Sequence, residues 1–330
     1  MRYRAALLAT VAALLVAAVN AQSITVYVGR GEALAGPIIE RFEAATGIDV
    51  EARYGSTAEL AGLIMEEGDA SPADAFWAQD AGALGALEKA GRLEAVPADL
   101  VATVASKNRH PGNMWVPVSA RNRVIIYSTD RVTASALPAS IFDLTDEQYR
   151  GRVAWAPGNA SFQSFVTALR VTHGEDVARD WLEGMIANDT ASYSNNGAQL
   201  DAVAAGEVDF GLVNNYYLLR RLATEPGFPV AQAFFDDGDI GNLANVTGIG
   251  VVAGTEQAEL VQRFIAFLLS DEAQSFFTND NQEYPITTTV APHAALTDLG
   301  DPVAASPLVD LESIDDLQGT LDLLTELGLL

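Results

Sequence analysis

From Ile24 to Val28 the chain is apolar and β-branched, and Gly29-Arg30-Gly31 ends the run. That pattern predicts a strand closed by a glycine turn. Leu34 to Ala45 places Ile38, Ile39 and Phe42 on one helical face and stops at Thr46-Gly47, as a helix with a glycine terminus does. Ile48 to Tyr54 alternates as a second strand. Thr57 is read as the cap of a helix that carries Leu60, Leu63, Ile64 and Met65 and ends at Gly68. A third strand (Pro72 to Trp77) and a third helix (Ala81 to Ala90) repeat the unit. Strand and helix alternating at this rhythm predict an α/β lobe with a mainly parallel sheet. Its ligand crevice is expected beyond the strand ends, at Gly29 to Glu32 and Ala78 to Asp80.

Trp115 to Ser119 and Val124 to Tyr127 read as two further strands, separated by Ala120-Arg121-Asn122-Arg123, where the chain is expected to cross to a second lobe. That lobe is again α/β. It has strand Val153 to Ala156, helices Ser161 to Val171 and Val177 to Ile186, strand Ala191 to Tyr193, helix Ala198 to Ala205 and a short buried strand at Asp209 to Leu212. Val246 to Val252 reads as a strand returning to the first lobe, with an amphipathic helix from Glu256 to Leu269 packed on it. One more helix is expected at Leu317 to Leu327. The expected fold class is therefore α/β, two-lobed, each lobe a mainly parallel sheet flanked by helices, with a multi-stranded hinge. Approximate bounds are 22–120 with 246–290 for lobe 1 and 121–245 with 291–330 for lobe 2.

Composition adds a destination. Met1-Arg2-Tyr3-Arg4 precedes an apolar run from Ala5 to Val19 and the small-x-small sequence Val19-Asn20-Ala21. This reads as a signal peptide over 1–21, cut after Ala21, and the run is short for a membrane span of roughly 20 residues. The chain has no cysteine, so export brings neither disulfides nor a lipid anchor at the cut. The expected location is a periplasm. A formal charge of −25 disfavours nucleic acid and anionic membrane surfaces as partners.

The three histidines, His110, His173 and His293, are scattered singly, whereas zinc chemistry needs ligands in a cluster. No nucleophile elbow, P-loop or dinucleotide fingerprint is present, and an enzyme is not expected. Asp236-Asp237-Gly238-Asp239 lacks the spaced ligands of a calcium loop and reads as a solvated turn. Anion chemistry is better served. Pro157-Gly158-Asn159-Ala160-Ser161 lies between a strand and a helix, where free N–H groups and the positive helix end face the crevice. Arg121 and Arg123 alternate on one short segment, so one of them is expected to face the cleft. Arg121 is chosen because Arg123 leads directly into an apolar strand. Asn196 and Asn214 lie at element ends, where their amides either bind an oxyanion or cap a turn. Tyr216 and Tyr217 follow Asn214-Asn215 directly. Two phenols converging at a cleft mouth suit a hard, highly charged metal ion that displaces their protons. As a bare dipeptide they read more readily as a half-buried packing pair at an element end.

From Ile24 to Leu330 the chain resembles the periplasmic ferric-ion-binding proteins of bacterial iron ABC transporters, within the type II periplasmic-binding-protein fold. The carrying segments are Thr25 to Gly29, Leu60 to Asp69, Pro72 to Phe76, Ser119 to Arg123, Asn214 to Tyr217 and Glu283-Tyr284-Pro285. The resemblance implies that Tyr216 and Tyr217 are ligands to Fe(III), the transported cargo. It also implies that Arg121, Asn159, Ala160, Ser161, Asn196 and Asn214 hold a synergistic anion, carbonate or phosphate. The partner it implies is an inner-membrane ABC permease, and the chain is expected to act as a monomer. The match is incomplete. Gly31 stands where several members have a histidine, Gln79 where they have a glutamate, and Trp155 where some have a further tyrosine. Glu32 and Asp80, each one residue from a lost ligand, are weighed as substitutes, but one residue along usually means the wrong face. With two phenolates the iron keeps one positive charge, which an anion held by Arg121 neutralises, so binding is expected to depend on the anion. The alternative is a metal-free receptor for an oxyanion or a small organic ligand such as a phosphonate.

Overall fold

The computed structural model describes residues 22–105, 109–300, 302–307, 309 and 313–330; the leader read at 1–21 lies outside them. Strand β1 (Ser23–Val28), helix α1 (Glu32–Thr46), β2 (Asp49–Tyr54), α2 (Thr57–Glu67), β3 (Ala75–Ala78), α3 (Ala81–Lys89) and a two-residue β4 (Leu93–Glu94) open the chain. β1 pairs in parallel with β2 on one side and β3 on the other. Helix α1 buries Ala35, Ile38, Ile39 and Phe42 against this sheet. Gly47, at φ 71°, closes it by donating its N–H to Glu43 O, a left-handed terminus that costs glycine nothing. The cap of α2 is Ser56, which accepts the Glu59 N–H, and not Thr57. The Thr57 hydroxyl instead donates to Gly29 O at 2.7 Å and accepts the Gln79 N–H at 3.3 Å. It thus ties the ends of β1 and β3 together at the crevice.

The crossing is the largest departure from expectation. A single thirteen-residue strand, β5 (Val116–Ser128), replaces the two short ones. Its polar middle is not a loop, because its backbone is paired along its length. Residues 116–122 run antiparallel to β10 (Ala244–Val252), and Arg123 to Tyr127 pair antiparallel with β8 (Phe210–Asn214). Buried polar side chains are tolerable when the ladder satisfies the backbone. Between these strands lie β6 (Val153–Trp155), α4 (Ala160–His173), α5 (Glu175–Ala187), β7 (Ala191–Ser192), α6 (Asn196–Ala205), α7 (Asn215–Thr224) and β9 (Val230–Ala233). β6 pairs in parallel with β7 and β8, and β9 adds to the far end of β5. After β10 come α8 (Ala258–Leu268), α9 (Asp271–Asn279), the short β11 (Tyr284–Pro285) on β5, the small helices α10 (Ala294–Asp298) and α11 (Pro302–Ala305), and α12 (Leu317–Glu326).

Three apolar clusters sit on this frame. One joins β1, β3, α1 to α3, β10, α8 and α9. In it Phe264 packs on Phe42 at 4.8 Å between ring centroids and edge-on to Trp77 at 6.0 Å. The other two cover opposite faces of the sheet around β8: Phe210 and Leu212 enter one and Val213 the other, as the two-residue strand period requires. Full burial of each such side chain stabilises the fold by roughly 1.5–3 kcal/mol.

Candidate functional site

β8 delivers Asn214 to its end, and α7 begins at the next residue. Tyr216 and Tyr217 therefore lie in a first helical turn rather than on a strand, where neighbouring side chains would point to opposite faces. The rings stack at 4.5 Å with 26° between planes. Tyr216 is buried and Tyr217 half-buried. Asn214 Nδ2 donates to Ser161 Oγ at 3.1 Å, and Arg121 Nη2 donates to the same oxygen at 3.2 Å. With both lone pairs engaged, the Ser161 hydroxyl proton is left to donate. The Ser161 N–H is held by Asn159 Oδ1 at 3.0 Å, which makes Asn159 the cap of α4 and Ala160 its first residue. The positive end of α4 therefore opens onto Arg121. Asn215, which the sequence reading passed over, accepts the Asn122 N–H at 3.0 Å and pins the tyrosine turn to β5 beside Arg121.

The opposite wall comes from the end of β3. Gln79 Nε2 donates to the Tyr216 hydroxyl at 3.4 Å. Asp80 is buried at the start of α3. Its carboxyl is pushed up to about 6 by burial, against the opposing pull of Arg121 and the Ala83 and Gly82 amides. Burial likewise lowers the Arg121 guanidinium, with Asp80 and Tyr216 pulling it back. On both partners the loss of solvation outweighs the attraction, so the pair is a cost held in place by the fold rather than a source of stability. Nε and Nη1 of Arg121 are buried without a partner. The Tyr216 phenol is driven well above its ordinary value, first by burial and then by Tyr217 and Glu283. An ion pair lies close by: Arg30 Nη2 grips both Glu283 oxygens at 3.0 and 3.1 Å, and Ser119 Oγ donates to Glu283 at 2.7 Å. No sequence signal marks a pair separated by 253 positions.

Other expected residues fall elsewhere. A spacing of two puts Arg121 and Arg123 on one face of β5, and both are buried, which corrects the expectation that alternation would separate them. Packing separates them instead. The Arg123 guanidinium lies over the Phe162 and Phe165 rings at 5.7 and 5.2 Å and donates to Leu212 O. Asn196 begins α6 and accepts from Gln199 Nε2 at 3.0 Å, with its own Nδ2 buried and unpartnered. Trp155 is core, edge-on to Phe162 and donating to Ser192 Oγ. Glu32 is exposed and acts electrostatically on Tyr54. A Cβ at Gly31 would meet nothing within 4 Å. Among the described residues no three His, Cys, Asp or Glu side chains gather as a metal group. The cleft thus offers phenols, a hydroxyl, amides and a guanidinium, a donor set for a hard cation together with an oxyanion.

The profile of the bacterial extracellular solute-binding protein family matches residues 70–302. The chain belongs to that family. The major ferric iron-binding protein of Neisseria meningitidis strain MC58 is 32% identical over 329 residues, covering 97% of this chain and 98% of that protein. Iron-bound HitA from Pseudomonas aeruginosa superposes with a TM-score of 0.88 at 30% identity, covering 93% of this chain and 99% of that one. A Trichodesmium protein solved with iron and citrate ligands gives 0.77 at 29% identity over 93% of this chain and 100% of that one. A putative 2-aminoethylphosphonate-binding periplasmic protein of Salmonella typhi matches more weakly, at 24% over 183 residues and 54% of each chain. The two-lobed type II periplasmic-binding-protein fold read from the sequence is the fold observed.

Proposed function

We propose that this family member captures ferric iron between its lobes and delivers it to an inner-membrane ABC permease. The observation that carries this is the stacked Tyr216–Tyr217 pair beside a buried Arg121 with two unpartnered donor nitrogens. Tyr216 and Tyr217 are the metal ligands. A trivalent cation supplies the electrostatic work needed to remove phenol protons that burial otherwise holds firmly. Two phenolates leave the iron one positive charge. Arg121, Ser161, Asn214 and the Asn159-Ala160 turn hold the carbonate or phosphate that offsets it, and Asn196 lends its free Nδ2 from the start of α6. Neutral Gln79 adds no charge, so capture depends on the anion more than it would with a carboxylate there.

Lobe 1 comprises 22–120 and 246–290 and lobe 2 comprises 121–245 and 291–330, with β5 and β10 as the crossing strands. The lobes close because iron and anion contact both walls in one arrangement and not in the other. The chain is exported on a leader over 1–21 and acts as a monomer in the periplasm. Among the described residues no helix is long and apolar enough to cross a membrane.

Fe(III) offered as its nitrilotriacetate chelate, followed by desalting and metal analysis, tests the reading. About one iron retained per chain with carbonate or phosphate present is expected, and none retained contradicts it. Gln79 and Gly31, which remove two family ligands, favour a second reading, a metal-free oxyanion receptor. Calorimetric binding of phosphonate without iron is its signature.

A further inference from the structure

The C-terminal segment 314–326 belongs to both lobes. Ile314, Leu323 and Leu324 are buried in a core of the second lobe, whereas Leu317 packs against the core of the first. Arg170 Nη2 on α4 bonds Asp316 Oδ2 at 2.7 Å, and Thr167 Oγ1 meets Thr320 Oγ1 at 2.7 Å. These contacts, with Arg179 on Glu326 at 2.9 Å, anchor α12 to lobe 2. From that anchor the chain reaches onto α3 of lobe 1. A Cβ added at Gly82 would lie 2.7 Å from Ile314 O, and one at Gly85 would lie 3.0 Å from Asp315 Cβ. Real Cβ atoms essentially never come as close as the contact at Gly82, and the one at Gly85 is tighter than nearly all ordinary Cβ contacts, so the strap sits on α3 at a distance that suits glycine. Lys89 closes the edge, 3.4 Å from Asp315.

A second link joins the same two helices. Asn245 on β10 accepts the Ala81 N–H of α3 at 3.3 Å and donates to Ser164 Oγ of α4 at 2.6 Å. It is buried, as is Ser164. Tyr216 and Arg121 are 1% exposed, so this is the arrangement with the cleft shut.

We propose that α3 and α4 are held together by a two-part clamp, the 314–317 strap and the Asn245–Ser164 link, which biases the lobes toward closure. This rests on the reading of the protein as a two-lobed iron binder. The clamp presets the fraction of molecules competent to close, and apparent affinity scales with that fraction. The side-chain hydrogen bonds of Asn245 go to Ala81, Ser164 and Val246 rather than to a phenol or an anion donor, and Gly85 and Asp315 meet each other on α3, so loosening the clamp weakens capture without removing a group that holds the iron or its anion.

The test uses Gly85→Leu and Ser164→Ala, one at each half, with the iron-free wild type as reference. Small-angle scattering without iron is expected to show a larger radius of gyration in both variants. Iron affinity is expected to fall by about fivefold or more, in the range of ordinary coupling between sites, with the visible band of loaded protein unshifted. Unchanged iron-free dimensions in both variants overturn the clamp whatever the iron result. A wild type that takes up no iron overturns the binding function, while the scattering comparison still decides the clamp.

Discussion

Replacing Arg121 by methionine removes the charge while keeping much of the volume, and its effect can be worked from the geometry. Within the protein Arg121 donates from Nη2 to Ser161 at 3.2 Å, and its Nε and Nη1 are buried with no protein partner. An anion that accepts from both gains two charge-assisted hydrogen bonds, each about 1.5–3 kcal/mol. Taking the lower figure for each, the variant loses about 3 kcal/mol of anion binding, on the order of 100-fold. Asp80, relieved of its partner, takes up a proton and limits the damage to the fold, because its carboxyl already titrates at about 6. The assay is competition for Fe(III) against a soluble chelator across a series of carbonate and phosphate concentrations. Wild-type affinity should climb with anion, and Arg121→Met should lie flat at the value wild type shows without anion. If the variant keeps the wild-type slope, Arg121 is not the anion's holder and the charge argument fails.

Further expectations follow the same chemistry. Gln79→Glu places a carboxylate where an amide now meets the Tyr216 oxygen at 3.4 Å; iron affinity at low anion should rise tenfold or more, with a shallower anion dependence in the same titration. Asp80 holds its proton longer folded than unfolded, with a folded value of about 6 against 3.8, so its contribution to stability is full below pH 4 and is lost as pH rises through 6. Asp80→Asn should remove that loss, about 3 kcal/mol, seen as a flatter stability–pH profile in denaturant titrations of iron-free protein. Trp155→Ala opens a cavity beside Phe162 and Trp181 and should cost about 3–5 kcal/mol of stability. The variant's loaded absorbance band should not move, since Trp155 is no ligand.

The periodicity of the chain carried most of the fold because each early strand and helix buries one face against a single sheet. The misses differ in cause. Ala120 to Arg123 reads as a loop because its side chains are polar, yet its backbone is satisfied by a partner strand on each side of the crossing, a tertiary fact. Helix α9 is a miss of a different kind, since its signals are local: Ser270 at its cap, Asp271-Glu272 in its first turn and the apolar stripe of Ala273, Phe276 and Phe277 mark it, a readable pattern. At the site, Asn214-Asn215-Tyr216-Tyr217 is legible because four consecutive residues do the positioning. Arg30 with Glu283, and Asp80 with Arg121, are not, because burial creates their importance and no local spacing reports it.

Two tyrosines carry the proposed hold on iron. Visible absorbance during Fe(III) loading, in wild type and in the Tyr216→Phe, Tyr217→Phe double variant, tests that most directly. A broad ferric–phenolate band growing to one equivalent in wild type and absent from the folded double variant is the result expected. The same band in the double variant, or none in an iron-loaded wild type, contradicts it.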